Sequence, residues 1–235
     1  MSEEQNIEIP EIEQEPEPSS FKLIFALGLA GLFAGLALVG VYLYTLPMIE
    51  ANKAEALQKA IFEVLPDCAS FKTLELIDGK LVDVASDVGT KKKGKGGEDT
   101  PKIFTGFNAN NDFVGFAIPG KEPGFQDIIG VIYGYDASQK IIIGFEVLES
   151  KETPGLGDKI FKDADFQTNF TALAIDPEII SVKKGQKKEA NEVESITGAT
   201  ISSKAVVRLL NKSMSEWRAP IEDYIKSNEL SIAKE

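Results

Sequence analysis

Residues 23–46 are twenty-four consecutive positions without a charged side chain. At 1.5 Å per residue a helix of that length covers about 36 Å, more than the roughly 30 Å of hydrocarbon in a membrane. A run this apolar and this close to the N-terminus reads as a membrane span. A cleavable leader is the competing reading, and it asks for a basic start, a shorter apolar core and a small-x-small cleavage site. Here an acidic stretch precedes the run and Thr45-Leu46-Pro47-Met48 closes it, so the segment is expected to remain as an anchor. Tyr42 and Tyr44 stand near one end, where interfacial aromatics collect. Gly31 and Gly35 form a Gly-x-x-x-Gly pair, with Gly28 nearby, a weak signal for close packing against another membrane helix.

The anchor divides the chain. Residues 1–20 hold seven Glu, three Pro and no Lys or Arg, the composition of a disordered tail. The transmembrane helix is placed at 21–46 and a helical stalk at 47–66, where Ala54, Leu57, Ile61 and Val64 recur at helical spacing and Pro66 ends the pattern. One domain then occupies 67–227, and 228–235 form a polar end. Charge does not orient the anchor: Lys22 lies on one side, Lys53 and Lys59 on the other, with Glu around both.

Composition removes whole classes of chemistry. A net charge of −12 argues against nucleic acid as a partner. The chain contains no His, which excludes His-based acid–base catalysis and His-ligated metals. Its one cysteine, Cys68, can neither close an internal disulfide nor supply the ligands of an iron–sulfur cluster, and reads as a small buried or half-buried residue. Any redox chemistry must therefore be carried by an organic cofactor.

The pattern from residue 71 onward predicts an α+β fold with an antiparallel-rich sheet. Residues 71–84 alternate as a hairpin about Asp78-Gly79. Residues 90–99 read as a flexible basic loop whose Gly94-Lys95-Gly96 lacks the spacing of a phosphate-binding P-loop. Strands are expected at 103–107, 113–118, 128–135 and 140–148, with turns at 110–112, 119–124 and 136–139. A helix is expected at 159–172, a strand at 178–183 and a charged loop at 183–194. A long helix from Ile201 to Trp217 follows, then one or two further turns at 221–225 beyond Pro220.

Two stretches invite chemistry. Glu152-Thr153-Pro154-Gly155-Leu156-Gly157 reads as a turn that opens a short helix at Asp158; it lacks the third glycine and acidic partner of a dinucleotide fingerprint. Ser195-Ile196-Thr197-Gly198-Ala199-Thr200 leads into the long helix, placing Thr200 at or just before its N-terminus. Free amides and the positive dipole end there favour a phosphate. Equally, Ser and Thr at a helix start are by default N-caps, so Thr197 or Thr200 is open to that plainer role.

Thr197-Gly198-Ala199-Thr200 resembles the Ser/Thr-Gly-Ala-Thr flavinylation motif of the FMN-binding domain shared by the G subunit of Rnf electron-transport complexes and the C subunit of sodium-pumping NADH:quinone reductases. Glu152–Gly157 resembles a second hallmark of that domain, in the same order along the chain. Gly120–Gln126 is similar to the glycine-rich loop that precedes a central strand. The resemblance covers about residues 21–227 and departs at Glu194, where the family often has Asp. It implies FMN joined through a phosphoester to Thr200, with Thr197, Gly198, Ala199 and Lys204 around the phosphate. It implies the flavin ring on Glu152, Thr153, Gly155, Leu156 and Gly157, and no catalytic acid or metal. It further implies a flavin transferase for maturation, neighbouring membrane subunits as partners, an inner-membrane location and the domain on the extracytoplasmic face. Gly157-Asp158-Lys159-Ile160 and the chain length lean towards the Rnf G subunit, an electron relay within an ion-translocating ferredoxin:NAD oxidoreductase. The alternatives are the quinone-reductase C subunit and a flavin-free tethered scaffold.

Overall fold

In the computed structural model the described residues are 19–84, 100–228 and 230. Residues 1–18 of the acidic tail, the 90–99 basic loop and most of the polar C-terminal end lie outside them. The chain forms two compact units, Met1–Ile49 and Glu50–Glu235.

Helix α1 (Ser20–Val64) carries the anchor. Its apolar side chains are exposed along the first unit, Leu27 by 73% and Phe33 by 64%, which in water would be prohibitive and in lipid is the favoured state. Pro47 sits inside this helix, which runs through it, and near it the Thr45 hydroxyl donates to the Val41 carbonyl (3.0 Å).

The second unit is built on a seven-stranded sheet in the order β2-β1-β3-β4-β5-β6-β7, every pairing antiparallel. The strands are β1 (Ser70–Ile77), β2 (Lys80–Val84), β3 (Lys102–Phe107), β4 (Phe113–Pro123), β5 (Ile128–Asp136), β6 (Ile141–Glu149) and β7 (Leu173–Ala174). Asp78 and Gly79 both have positive φ, as the tight hairpin between β1 and β2 requires. Phe116, Ile118, Val131 and Tyr133 face one side; Ala117 and Ile132, one residue out of phase, face the other. Both faces are covered, so β5 is buried at every position after Ile128.

The end of α1 covers one face through Ala60, Ile61 and Val64, with Leu65 just beyond it. It lies so close that a Cβ on Gly134 or Gly144, paired across β5 and β6, would strike the Val64 backbone. Helix α4 (Thr200–Ser227) covers the opposite face with Ala205, Val206, Leu209, Leu210, Met214 and Trp217. Tyr133 ties sheet to helix by donating to Ser213 Oγ at 2.7 Å.

Four expectations are corrected. Residues 119–123 are strand, because the β4–β5 ladder extends to Pro123↔Ile128 and the turn falls at Gly124–Asp127. The 159–172 helix is broken into α2 (Lys159–Lys162), α3 (Ala164–Gln167) and a 3-10 turn, since extended Asp163 stops the first and caps the second by accepting from the Phe166 amide. The 183–194 loop ends in a strand: β9 (Glu192–Ser195) pairs in parallel with β8 (Ile180–Lys183). Helix α4 continues through Pro220, a break costing about 3 kcal/mol in isolation. Buried Ile221 and Tyr224, whose hydroxyl donates to Asp83 at 2.7 Å, hold the last turns in place.

Gly134→Ala should lower stability by about 3 kcal/mol, the upper end for overpacking, because backbone rather than a pliant side chain must yield. Urea unfolding of the detergent-solubilised chain, followed by the fluorescence of buried Trp217, measures it; Gly130→Ala, whose new Cβ makes only ordinary contact with Glu149 and needs no change of backbone, should cost less.

Candidate cofactor site

Three segments meet at one end of the sheet. Antiparallel order places the β4–β5 connection (Gly124–Asp127) beside the exit of β6, where the 152–157 loop begins. The start of α4 is drawn to the same place by Arg208, which donates to the Pro123 carbonyl (3.1 Å). Between them lies a cleft of about 310 Å3 lined by Phe125, Glu152, Thr153, Leu156, Gly157 and residues 198–202.

The turn into α4 is set by its own backbone. Ala199 donates to the Ile196 carbonyl across Thr197-Gly198, and Gly198 takes φ +86°, the geometry of a type II turn. Neither threonine caps the helix, which corrects the N-cap expectation. Ala199 occupies the cap position without a side-chain bond. Ser203 reaches back instead, accepting from the Ile196 amide (3.1 Å) and donating to the Ala199 carbonyl (2.9 Å). Among the described residues the amides of Thr200, Ile201 and Ser202 and the exposed Thr200 hydroxyl have no protein partner.

Glu152 is the organising side chain. It is only 5% exposed. Its Oε1 accepts the amides of Phe125 (2.9 Å) and Gln126 (3.0 Å), and its Oε2 accepts the Ser202 hydroxyl (2.6 Å). Burial pushes its pKa up, but the hydroxyl and amide donors outweigh that and hold the carboxyl below its usual range. Thr153 donates to Gln126 Oε1 (2.8 Å), a second tie between the same two loops.

The remaining expected positions fall as follows. Gly155, with φ +78°, and Leu156 form the outer turn of the loop. Gly198 and Ala199 line the cleft; Lys204 is exposed on α4 four residues past Thr200, outside the lining. Thr197 lines a separate polar hollow of about 180 Å3 with Lys159 and Glu194. The structure adds Phe125, Ile201 and Ser202. By spacing Ile201 belongs to the apolar stripe of the helix, but it is 52% exposed at the cleft, and Phe125 is 67% exposed there. The signal for both is a large apolar residue beside each motif with no core to enter. A larger cleft, about 700 Å3, is lined by Lys53, Leu57 and Trp217 among others and includes no residue of either motif.

The cleft suits a flavin ring on its own terms: apolar Phe125, Leu156 and Ile201 at the rim, polar groups within, and, for a phosphate, amides beside a hydroxyl that have no partner among the described residues. The sequence profile of the FMN-binding domain matches residues 124–215. In fold the chain is similar to NqrC of Shewanella oneidensis (TM-score 0.57, 17% identity, covering 74% of this chain and 99% of that one). It is also similar to the C subunit of the Na(+)-translocating NADH-quinone reductase from Parabacteroides distasonis (TM-score 0.56, 20% identity, 73% and 93%). The profile match and the fold thus give the chain an FMN-binding domain, together with one helix long and apolar enough to anchor it in a membrane.

In sequence the chain is 30% identical to the G subunit of the Na(+)-translocating ferredoxin:NAD(+) oxidoreductase complex of Acetobacterium woodii, over 84% of this chain and 93% of that protein. It is 27% identical to the G subunit of the ion-translocating oxidoreductase complex of Methanosarcina acetivorans, over 88% and 95%. The chain belongs to the G-subunit family of ion-translocating oxidoreductase complexes.

Because the Glu152 carboxyl has its pKa lowered by folding, its stabilisation is complete above the unfolded value of about 4.3 and is lost as pH falls through the lower folded value. Glu152→Ala should cost about 3 kcal/mol at pH 7, because the loop amides and the buried Ser202 hydroxyl lose a charged acceptor together. Melting temperatures between pH 3 and 7 should show the deficit shrinking on the acid side.

Proposed function

We propose that this chain is a membrane-anchored flavoprotein that relays electrons within an ion-translocating oxidoreductase complex, with FMN attached covalently through Thr200. The observation that carries this reading is the state of Thr200: an exposed hydroxyl without a protein partner among the described residues, at the first turn of α4, beside three free amides and on the lip of the cleft. A residue needed only to start the helix would be using that hydroxyl as a cap.

An isoalloxazine supplies the chemistry, taking up and passing on one or two electrons. The chain's part is to hold and orient it. Thr200 Oγ1 would form the phosphoester, and the amides of Thr200, Ile201 and Ser202 would offset the phosphate charge at the positive end of α4. Lys204, one turn on, is placed to add to that. Phe125, Leu156 and Ile201 would take the apolar faces of the ring, and Thr153 and Gly157 would border its polar edge. The relatives' names each describe one member of a complex, so electrons would come from and go to centres in neighbouring subunits. A flavin transferase would make the bond, and the domain would stand on the extracytoplasmic side.

Two outcomes are expected. After co-expression with the transferase, mass spectrometry should find FMN on the tryptic peptide ending at Lys204, and Thr200→Val should abolish it; an unmodified wild-type peptide would refute the attachment. In intact cells, Asn110→Cys in a Cys68→Ser background should react with a membrane-impermeant maleimide, since Asn110 is exposed on the β3–β4 turn. Labelling only after lysis would reverse the topology.

A further inference from the structure

Gly124 and Gly157 are small for a reason other than backbone conformation. Neither is among the glycines with positive φ, yet a Cβ on either would strike a carboxylate oxygen of Glu152. Two segments of the cleft are thus cleared of side chains around one carboxylate. That carboxylate forms part of the cleft wall and is held by dipoles alone: the amides of Phe125, Gln126 and, at 3.5 Å, Asp127, and the Ser202 hydroxyl. Of the cations on the neighbouring segments, Lys151 pairs with Asp127 (3.3 Å), Lys162 with Asp158 (2.6 Å) and Arg208 with Glu122 (3.4 Å), and among the described residues neither Lys159 nor Lys204 forms an ion pair with Glu152. The wall therefore carries a full negative charge that, among the described residues, no ammonium or guanidinium pairs with.

A buried charge acts strongly on whatever shares its low-dielectric surroundings. A flavin that takes two electrons and one proton gains one net negative charge, the electrons coming from a redox centre in a neighbouring subunit and the proton from solvent. An ionised carboxylate in van der Waals reach opposes that gain. We propose that Glu152 is a redox-tuning residue, its carboxylate in the cleft wall lowering the reduction potential of the flavin seated there. The proposal depends on the FMN reading above and adds to it the residue that sets the potential.

Ser202 provides the control. In Glu152→Gln the side-chain oxygen still accepts the loop amides, and the new NH2 faces a Ser202 hydroxyl that accepts in turn, so the shape is kept and the charge is lost. In Ser202→Ala the charge is kept and one hydrogen bond that spreads it is lost. Charge tuning moves the two variants in different directions, whereas loosening of a merely structural latch moves them together.

The full-length chain, wild type and both variants, is co-expressed with the flavin transferase and purified in detergent. Flavin fluorescence of the denatured polypeptide reports loading, and spectroelectrochemical titration at pH 7 gives the midpoint potential. Hydrogen exchange of residues 124–127 and 199–203 in the flavin-free chains reports the latch. Glu152→Gln is expected to load flavin, keep slow exchange and shift the potential to more positive values. Ser202→Ala is expected to exchange faster and to shift the potential to more negative values. A loaded Glu152→Gln chain whose potential is not more positive, or a Ser202→Ala chain with an unchanged or raised potential, overturns the tuning role and leaves the FMN reading standing. Absence of flavin from the wild type overturns the FMN reading and the tuning role with it. Should Glu152→Gln fail to fold, the direction of the Ser202→Ala shift decides.

Discussion

The cleft depends on one buried carboxylate. Glu152 stands where the β4–β5 connection, the loop after β6 and the first turn of α4 would otherwise be three separate surface segments. Loops are the least constrained parts of a fold, and hydrogen bonds to a charged acceptor, short and directional, are a strong way to hold them in register. Because the charge is buried, the bonds must all be made or the site loses several at once. Cleft and carboxylate form one unit, in which Gly124 and Gly157 make the room and Ser202 completes the coordination.

The rest of the second unit supplies the rigidity that this arrangement needs. A sheet covered on both faces cannot slip by one residue without moving every apolar side chain to the wrong side. The end of α1 on the Gly134–Gly144 pair and the length of α4 across the opposite face fix the sheet between them. The Arg218 guanidinium, bidentate to Asp176 at 2.7 and 3.1 Å, ties α4 to the connection after β7. The start of α4 is therefore held by packing and ion pairs along the helix, and among the described residues no protein group engages its first-turn amides or the Thr200 hydroxyl.

Much of this was legible in the chain. The uncharged run of residues 23–46 announced an anchor, because no soluble surface tolerates so many exposed apolar side chains. Asp78-Gly79 announced a hairpin, since the turn demands positive φ. The two motifs that line the cleft both stand out from their residues, some forty positions apart. Less legible were the places where tertiary contacts overrule local preference. Pro220 looks like a helix end and is interior, because Ile221 and Tyr224 are anchored in the core. Pro119 and Gly120 look like a turn and are strand, because β5 pairs with them to the end. Residues 192–195 look like a polar loop and are a short strand beside β8.

The sequence by itself determined the periods, the turns and the residue types, and from them the anchor, the class of fold and the threonine at a helix start. These are local properties, set by side-chain volume, backbone freedom and polarity over a few positions. Only the tertiary structure decided that Glu152 is a buried hub and not a turn residue, that Ser202 is its partner fifty positions away, and that neither Thr197 nor Thr200 caps α4. It also decided that Ile201 and Phe125 face the cleft. The physical reason is that a hydrogen-bond partner or a cleft wall is a relation between segments brought together by packing, and no periodicity along the chain encodes which segments will meet.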